Sequence, residues 1–109
     1  MEKQDALAAL DALAHETRLE AFRALVQAGP EGLPAGALSD LLEVPSATLS
    51  FHLKELKGAG VVSCRREGRS LIYGPNFEAT SALIEFLSEN CCGGVGSCAP
   101  AAKKRRRSS

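Results

Sequence analysis

The stretch LSFHLKEL, residues 49–56, decides the fold of this chain of 109 residues. At about 100° per residue, its leucines and His52 lie on one face of a helix, and Phe51 and Lys54 lie on the opposite face. We therefore predict a helix over residues 47–57 whose leucine face lies in the core. A phenyl ring exposed beside hydroxyl groups and a lysine is unusual on a solvated helix. It suits the major groove of DNA, where the ring can contact a thymine methyl group.

The segment before this helix predicts a partner helix and a tight turn. Residues 35–42 are apolar at helical spacing, and we expect residues 32–34 to lead directly into this helix. The turn over residues 43–46 ends at Ser46, the predicted N-cap of the following helix, which Gly58 and Gly60 terminate. Two short helices joined in this way are typical of a helix-turn-helix.

Two further helices are predicted near the N-terminus. Residues 5–13 place Leu7, Leu10 and Leu13 at helical spacing, which predicts a short amphipathic helix. The second helix is predicted to follow residues 15–18 and to end at Gly29-Pro30. Its expected apolar face consists of Leu19, Phe22, Leu25 and Val26.

A β-hairpin and a last helix are predicted after the central helix. The β-rich runs 61–66 and 69–73 flank Glu67-Gly68, which we predict to be a two-residue hairpin turn. The last helix is expected over residues 76–90, with Leu83, Ile84 and Leu87 on one face. The predicted fold is mainly α with a small β-hairpin: a winged helix-turn-helix of about five helices and a two-stranded wing, dimeric.

The candidate DNA-contacting residues belong to the central helix and the wing. Hydroxyl, amino and guanidinium groups can bind phosphates or base edges, and three arginines on one narrow hairpin can grip phosphates or enter a minor groove. Two alternatives remain open: Phe51 packs under a neighbouring chain, and His52 is a hydrogen-bonded core residue, which its position on the apolar face favours. The candidates are Ser46, Ala47, Thr48, Ser50, Phe51, His52, Lys54, Lys57, Arg65, Arg66 and Arg69.

These motifs resemble the ArsR/SmtB family of winged-helix repressors. The resemblance rests on LSFHLKEL, on GAGVV at residues 58–62, on REGR at residues 66–69 followed by Tyr73, and on HETRL at residues 15–19. It covers roughly residues 6–90. It implies a homodimer paired through the first and last helices and an operator whose two-fold symmetry matches the protein.

Charge is segregated although the formal net charge is zero. Residues 52–74 carry five basic and two acidic side chains, whereas residues 1–51 carry three basic and eight acidic ones. A local basic segment on an acidic body is what attraction to DNA phosphates requires, although a solvated face has the same pattern. No apolar run is long enough to cross a bilayer, and the N-terminal residues do not resemble a signal peptide, so we expect a cytoplasmic protein.

Three of the four cysteines, Cys91, Cys92 and Cys98, lie within eight residues near the C-terminus. Such a cluster in a cytoplasmic chain indicates soft-ion binding or redox chemistry rather than a disulfide framework. Trivalent arsenic or antimony forms three bonds, which three thiolates complete, whereas structural zinc usually takes four ligands. Cys64, spaced two residues after Val62, is expected to be a small buried hydrophobic residue.

The family resemblance favours arsenic. Many arsenic-responsive members carry a Cys-x-Cys motif in the helix-turn-helix, and residues 37–45 contain no cysteine. The Cys-Cys-x5-Cys pattern is similar to a smaller group of arsenite-responsive members, in which the triad binds the metalloid. This implies a repressor induced by arsenic(III), with antimony(III) or methylarsenite as alternatives. A thiol-based redox or sulfide sensor is the main rival, and a zinc or cadmium sensor using Cys64 is less favoured.

The predicted organisation has three parts. Residues 1–90 form the DNA-binding and dimerisation domain, residues 91–98 the cysteine-rich metalloid-binding segment, and residues 99–109 a disordered basic tail. The tail, with KKRRR at residues 103–107, either adds non-specific phosphate contacts or serves only as a solubilising end. No motif indicates catalysis or a catalytic cofactor, because a thiol oxidoreductase would need an activated cysteine, commonly in Cys-x-x-Cys.

Overall fold

The structure, a computed structural model, describes residues 1–94. Cys98 and the basic tail lie outside these residues. The described part contains five α-helices, a three-stranded antiparallel sheet and a short 3-10 helix at its end. The elements are α1 (Lys3–Leu13), α2 (Glu16–Ala28), β1 (Leu33–Pro34), α3 (Ala35–Leu42), α4 (Ser46–Gly58), β2 (Val62–Glu67), β3 (Ser70–Pro75), α5 (Phe77–Ser88) and the 3-10 helix Cys91–Gly94.

Helices α3 and α4 form the helix-turn-helix. Glu43 ends α3 in the left-handed conformation at φ 57°, and the Ser39 hydroxyl donates a 2.6 Å hydrogen bond to the Val44 carbonyl, which closes the turn. The N-cap of α4 is Pro45, and Ser46 is already helical. The prediction of Ser46 as N-cap is therefore wrong by one residue, because the fixed φ of proline sets the entry into the helix.

The sheet has one strand more than the two-stranded wing predicted. Leu33–Pro34 leads directly into α3, as predicted, but it also pairs with β3, so the strand order is β1-β3-β2. Gly32 makes this pairing possible, because its φ is +76° and an added Cβ would lie 2.5 Å from the Tyr73 carbonyl oxygen. A two-residue strand leaves no readable alternation in the sequence, and for this reason it was not predicted.

The wing is the hairpin of β2 and β3. Glu67 pairs with Ser70, so the two loop residues are Gly68 and Arg69, one position beyond the predicted Glu67-Gly68 turn. Gly68 has φ +63° at the first loop position, as a type II′ turn requires. The shift places the Arg69 side chain at the tip of the wing.

The core face of α1 consists of alanines, and its leucines lie on the other side. Ala6, Ala9 and Ala12 are buried, whereas Leu7 is 53% and Leu10 40% exposed. The small alanines let α1 approach α2 and α4 closely. The two leucines form an apolar surface on the outside of the protein.

Helix α5 continues this apolar surface. Asn76 caps it by accepting a hydrogen bond from the Ala79 N–H, and it also donates to the Gly60 carbonyl at 3.0 Å, which ties α5 to the end of α4. Leu83 is buried, but Ile84 and Leu87 are exposed, so the predicted shared face of these three residues is only partly correct. Across residues 1–94, none of the helices has both the length and the apolar character needed to span a membrane.

Candidate nucleic-acid interface

Helix α4 presents two chemically different faces. Leu49, Leu53 and Leu56 are fully buried, and this confirms the predicted core face. Phe51 is 54% exposed on the other side, next to hydroxyl and amino groups. The exposed candidates on α4 are Ser46, Ala47, Thr48, Ser50, Phe51, Lys54 and Lys57. The helix therefore offers a surface of small polar groups around one aromatic ring, which suits readout of a major groove.

His52 lies on the core side of α4 and is only 7% exposed. The Arg18 Nε, from α2, donates a 3.2 Å hydrogen bond to its Nδ1. Burial is the main cause that lowers the pKa of His52, and the neighbouring His15 and Arg18 lower it further against the opposing effect of Glu55. The expected hydrogen-bonded core histidine is confirmed, and this burial argues against His52 as a direct DNA contact.

Arg18 joins α2 to the exposed side of α4. Its guanidinium carbon lies 6.0 Å from the centroid of the Phe51 ring, in cation–π geometry. The centroid of the His15 ring lies 4.6 Å from that of His52. His15 is also the N-cap of α2, and its Nδ1 accepts a hydrogen bond from the Thr17 N–H. The only sequence signal for this arrangement is the HETRL segment, whose spacing does not reveal that it faces α4.

The three predicted wing arginines are not equivalent. Arg65 donates to the Glu31 carbonyl at 2.9 Å and to the Glu67 carboxylate at 2.7 Å, so it braces the wing against the loop after α2. Within residues 1–94, the side chains of Arg66 and Arg69 make no hydrogen bond or ion pair, and both residues are exposed. Their guanidinium groups are therefore available to phosphates, whereas that of Arg65 is already engaged.

The cysteines occupy two separate regions. Cys64 is half-buried on β2 opposite Tyr73, and burial followed by a hydrogen bond with Cys64 raises the pKa of Tyr73. Cys91 is exposed at the start of the 3-10 helix after α5. The Cys92 side chain and Cys98 lie outside what the structure describes. In the described part of the chain, no three potential ligands of a metal converge.

A helix-turn-helix followed by a hairpin with exposed arginines defines a winged helix-turn-helix protein. Residues 13–65 match the family described as "Helix-turn-helix domain". The transcriptional activator HlyU from Vibrio cholerae is 35% identical over 84% of both chains. Its solved structure superposes with a TM-score of 0.64 at 33% identity, covering 84% of this chain and 99% of that one, and a structure titled reduced HlyU has a TM-score of 0.63.

Two other relatives carry the family name. The putative arsenical resistance operon repressor ArsR of Halobacterium salinarum is 36% identical, over 69% of this chain and 57% of its own. A homodimeric winged helix-turn-helix domain from Mycobacterium bovis, titled a possible ArsR-family regulator, has a TM-score of 0.65 at 24% identity, covering 81% of this chain and 82% of that one. The chain belongs to the ArsR family of winged helix-turn-helix transcriptional regulators.

Proposed function

We propose that this protein is an arsenic(III)-responsive transcriptional repressor of the cytoplasm. It binds operator DNA as a homodimer and dissociates when arsenic(III) binds Cys91, Cys92 and Cys98. The observation that carries the proposal is the placement of three cysteines within eight residues directly after α5. Antimony(III) has the same three-bond chemistry and is an alternative inducer.

The thiol chemistry supports a trivalent metalloid. Thiolates prefer soft acceptors, and three of them complete the shell of arsenic(III) without a fourth ligand. Cys91 is exposed where α5 gives way to the 3-10 helix, and Gly93 has φ +68°, a conformation in which the chain reverses easily. Arsenous acid and three thiols form three As–S bonds and three molecules of water, because each thiol proton leaves with one hydroxide of arsenic.

The exposed surface of α1 and α5 supports the dimer. Leu7 and Leu10 from α1 and Ile84 and Leu87 from α5 are all exposed, although the two helices contact each other. Apolar side chains on adjacent helices mark an interaction surface, and a second copy of the chain would cover them. The relative from Mycobacterium bovis is titled homodimeric.

This dimer surface suggests how the inducer acts. Cys91 follows the end of α5 within three residues, so the thiols would lie next to the interface. Arsenic would favour a dimer in which the two copies of α4 no longer match successive major grooves. Reciprocal coupling then requires arsenic to bind the DNA-free protein more tightly than the DNA-bound protein.

A redox-sensing regulator is the second candidate function. Either Cys91 or Cys92 can form a disulfide with Cys98 under an oxidant, which would leave one thiol unused. A structure titled reduced HlyU among the relatives favours testing this alternative. The names of the relatives differ in function, including a transcriptional activator and a nodulation protein, so the arsenic assignment rests on the cysteines of this chain.

Fluorescence anisotropy separates the two candidates. The probe is a labelled duplex selected from a random library by the wild-type protein under reducing conditions. We expect stoichiometric arsenite to release the protein, and zinc and peroxide to leave it bound. Release should be lost in Cys91→Ser, Cys92→Ser and Cys98→Ser, and retained in the matched control Cys64→Ser. Release by peroxide alone would identify the redox sensor, and a Cys92→Ser protein still released by arsenite would contradict the triad.

Methylarsenite provides a further test within the same assay. Its methyl group occupies one of the three bonds of arsenic, so two thiols suffice. Methylarsenite that releases Cys98→Ser while arsenite does not would place Cys91 and Cys92 as the essential pair.

A further inference from the structure

Four side chains form one contact cluster where the start of α2 meets α4. They are His15 and Arg18 from α2, and Phe51 and His52 from α4. The Phe51 and His52 rings lie 5.6 Å apart in edge contact, so the cluster extends from the buried face of α4 to its exposed face.

The hydrogen bond from Arg18 requires an unprotonated Nδ1 on His52. His52 accepts from Arg18 at Nδ1, and His15 accepts from the Thr17 N–H at Nδ1. A nitrogen that accepts a hydrogen bond carries no proton, and burial, which lowers the pKa of His52, favours the same neutral form. Protonation of His52 would set an N–H against the Arg18 N–H and break this contact.

Arg18 contacts both His52 and Phe51. Its Nε is bound to His52, and the guanidinium carbon of the same planar group lies 6.0 Å from the Phe51 centroid. A planar donor fixed at one edge has few orientations left, so it restricts the ring that it faces. Phe51 is the large aromatic side chain exposed on the DNA-facing side of α4, and its rotamer decides which base edge it meets.

We propose that Arg18, His15 and His52 act together as positioning residues that hold Phe51 in the orientation that reads operator DNA. This inference rests on the proposed role of α4 as the DNA-reading helix and does not depend on the arsenic site. The cysteine variants test the response to arsenite, and the variants below test DNA affinity without arsenite, so either proposal can fail without the other.

A double-mutant cycle tests the link between Arg18 and Phe51. Arg18→Lys keeps the positive charge but loses the planar donor, and Phe51→Leu keeps an apolar contact but removes the ring. With the selected duplex, we expect Arg18→Lys to weaken binding about fivefold in the wild-type background, the scale of one cation–π contact with its hydrogen bond. The same substitution should cost less than about twofold beside Phe51→Leu, because the ring is then absent.

Arg23→Lys is the matched control, since Arg23 lies exposed on the same helix. It should leave affinity unchanged. An equal cost of Arg18→Lys in both Phe51 backgrounds would overturn the proposal, as would an equal cost of Arg23→Lys. Thermal unfolding of each variant checks that it is folded at the temperature of the binding assay.

The pH profile of DNA binding is a second readout that a purely structural residue would not move. The charged or titratable groups facing His52 are His15 and Arg18 from α2, and Glu55 from α4 itself. In His52→Asn, the amide oxygen can take the place of Nδ1 as acceptor for Arg18, and it does not titrate.

We expect wild-type affinity to fall relative to His52→Asn as the pH decreases below 6.5, the ordinary pKa of histidine. Gained positive charge alone would strengthen DNA binding in acid. Parallel profiles for the two proteins would therefore refute the role of His52.

Discussion

The Asn76 side chain makes two hydrogen bonds that connect the start of α5 to the end of α4, and their energies give the expected loss of stability when it is removed. Its side-chain oxygen caps α5 by accepting from the Ala79 N–H at 3.1 Å, and its amide nitrogen donates to the Gly60 carbonyl at 3.0 Å. Removal of an N-cap costs about 1 kcal/mol. Removal of a donor from a half-buried carbonyl costs about 1 to 2 kcal/mol more.

Asn76→Ala should therefore lower the free energy of unfolding by about 2 to 3 kcal/mol. For a domain of this size, the corresponding decrease in Tm is roughly 10 to 20 °C. Asn76→Ser retains a cap but cannot reach Gly60, so it should lose about half as much. The assay is thermal and urea unfolding followed by circular dichroism at one fixed protein concentration, because a dimer makes Tm concentration-dependent.

Ser81→Ala is the control, since Ser81 is exposed on α5 and its side chain makes no hydrogen bond within residues 1–94. It should stay within about 0.5 kcal/mol of the wild type. An Asn76→Ala protein as stable as Ser81→Ala would refute the claim that the Asn76 hydrogen bonds between α5 and α4 stabilise the fold.

Three further predictions concern β1, the wing and the buried histidine. Gly32→Ala places a Cβ 2.5 Å from the Tyr73 carbonyl oxygen at φ +76° and should destabilise the protein by more than about 2 kcal/mol in urea unfolding. Gly36→Ala, which meets nothing within 4 Å, should not destabilise it, and equal losses would contradict the strained approach. Arg66→Ala and Arg69→Ala should each reduce the slope of log K against log salt concentration by about 1, whereas Arg65→Ala should leave that slope unchanged. A reduced slope for Arg65→Ala would show that Arg65 gives up its contacts with Glu31 and Glu67 to bind a phosphate. Because the pKa of His52 is lower in the folded protein than its ordinary 6.5, the unfolded chain takes up protons first, so stability should fall as the pH decreases from 6.5 through the folded pKa. His52→Asn should flatten that fall in urea unfolding, and an unchanged pH dependence would assign it to other groups.

The recognition helix was predictable because its signal is strong and local. Four core positions recur at helical spacing in LSFHLKEL, and an aromatic ring stands on the opposite face. The structure confirms both faces.

The features that the sequence does not reveal depend on tertiary contacts. Ala6 and Ala9 recur at the same helical spacing as Leu7 and Leu10, and close approach of the helices selects the alanines for the buried face of α1. The leucines are then exposed, and hydrophobicity within one chain cannot tell a core from an interface between chains. The two-residue strand β1 was missed for a similar reason, because its partner lies about 40 residues away in the sequence.

The residues of the candidate site could be predicted one by one, but the different contacts that each of them makes could not. The wing arginines are equivalent in the sequence, and only the contacts of Arg65 with Glu31 and Glu67 distinguish it. The position of Arg18 between His52 and Phe51 depends on how α2 packs on α4, which no local pattern encodes.

The central claim is that arsenic(III) binding and DNA binding exclude each other in a dimer of this chain. Non-denaturing mass spectrometry of the wild-type protein with its selected duplex, before and after arsenite, tests all three parts in one measurement. We predict a complex of two chains with one duplex before arsenite, and afterwards free duplex with a dimer in which one arsenic atom replaces three thiol hydrogens in each chain. A complex that retains the duplex with arsenic bound would contradict the account.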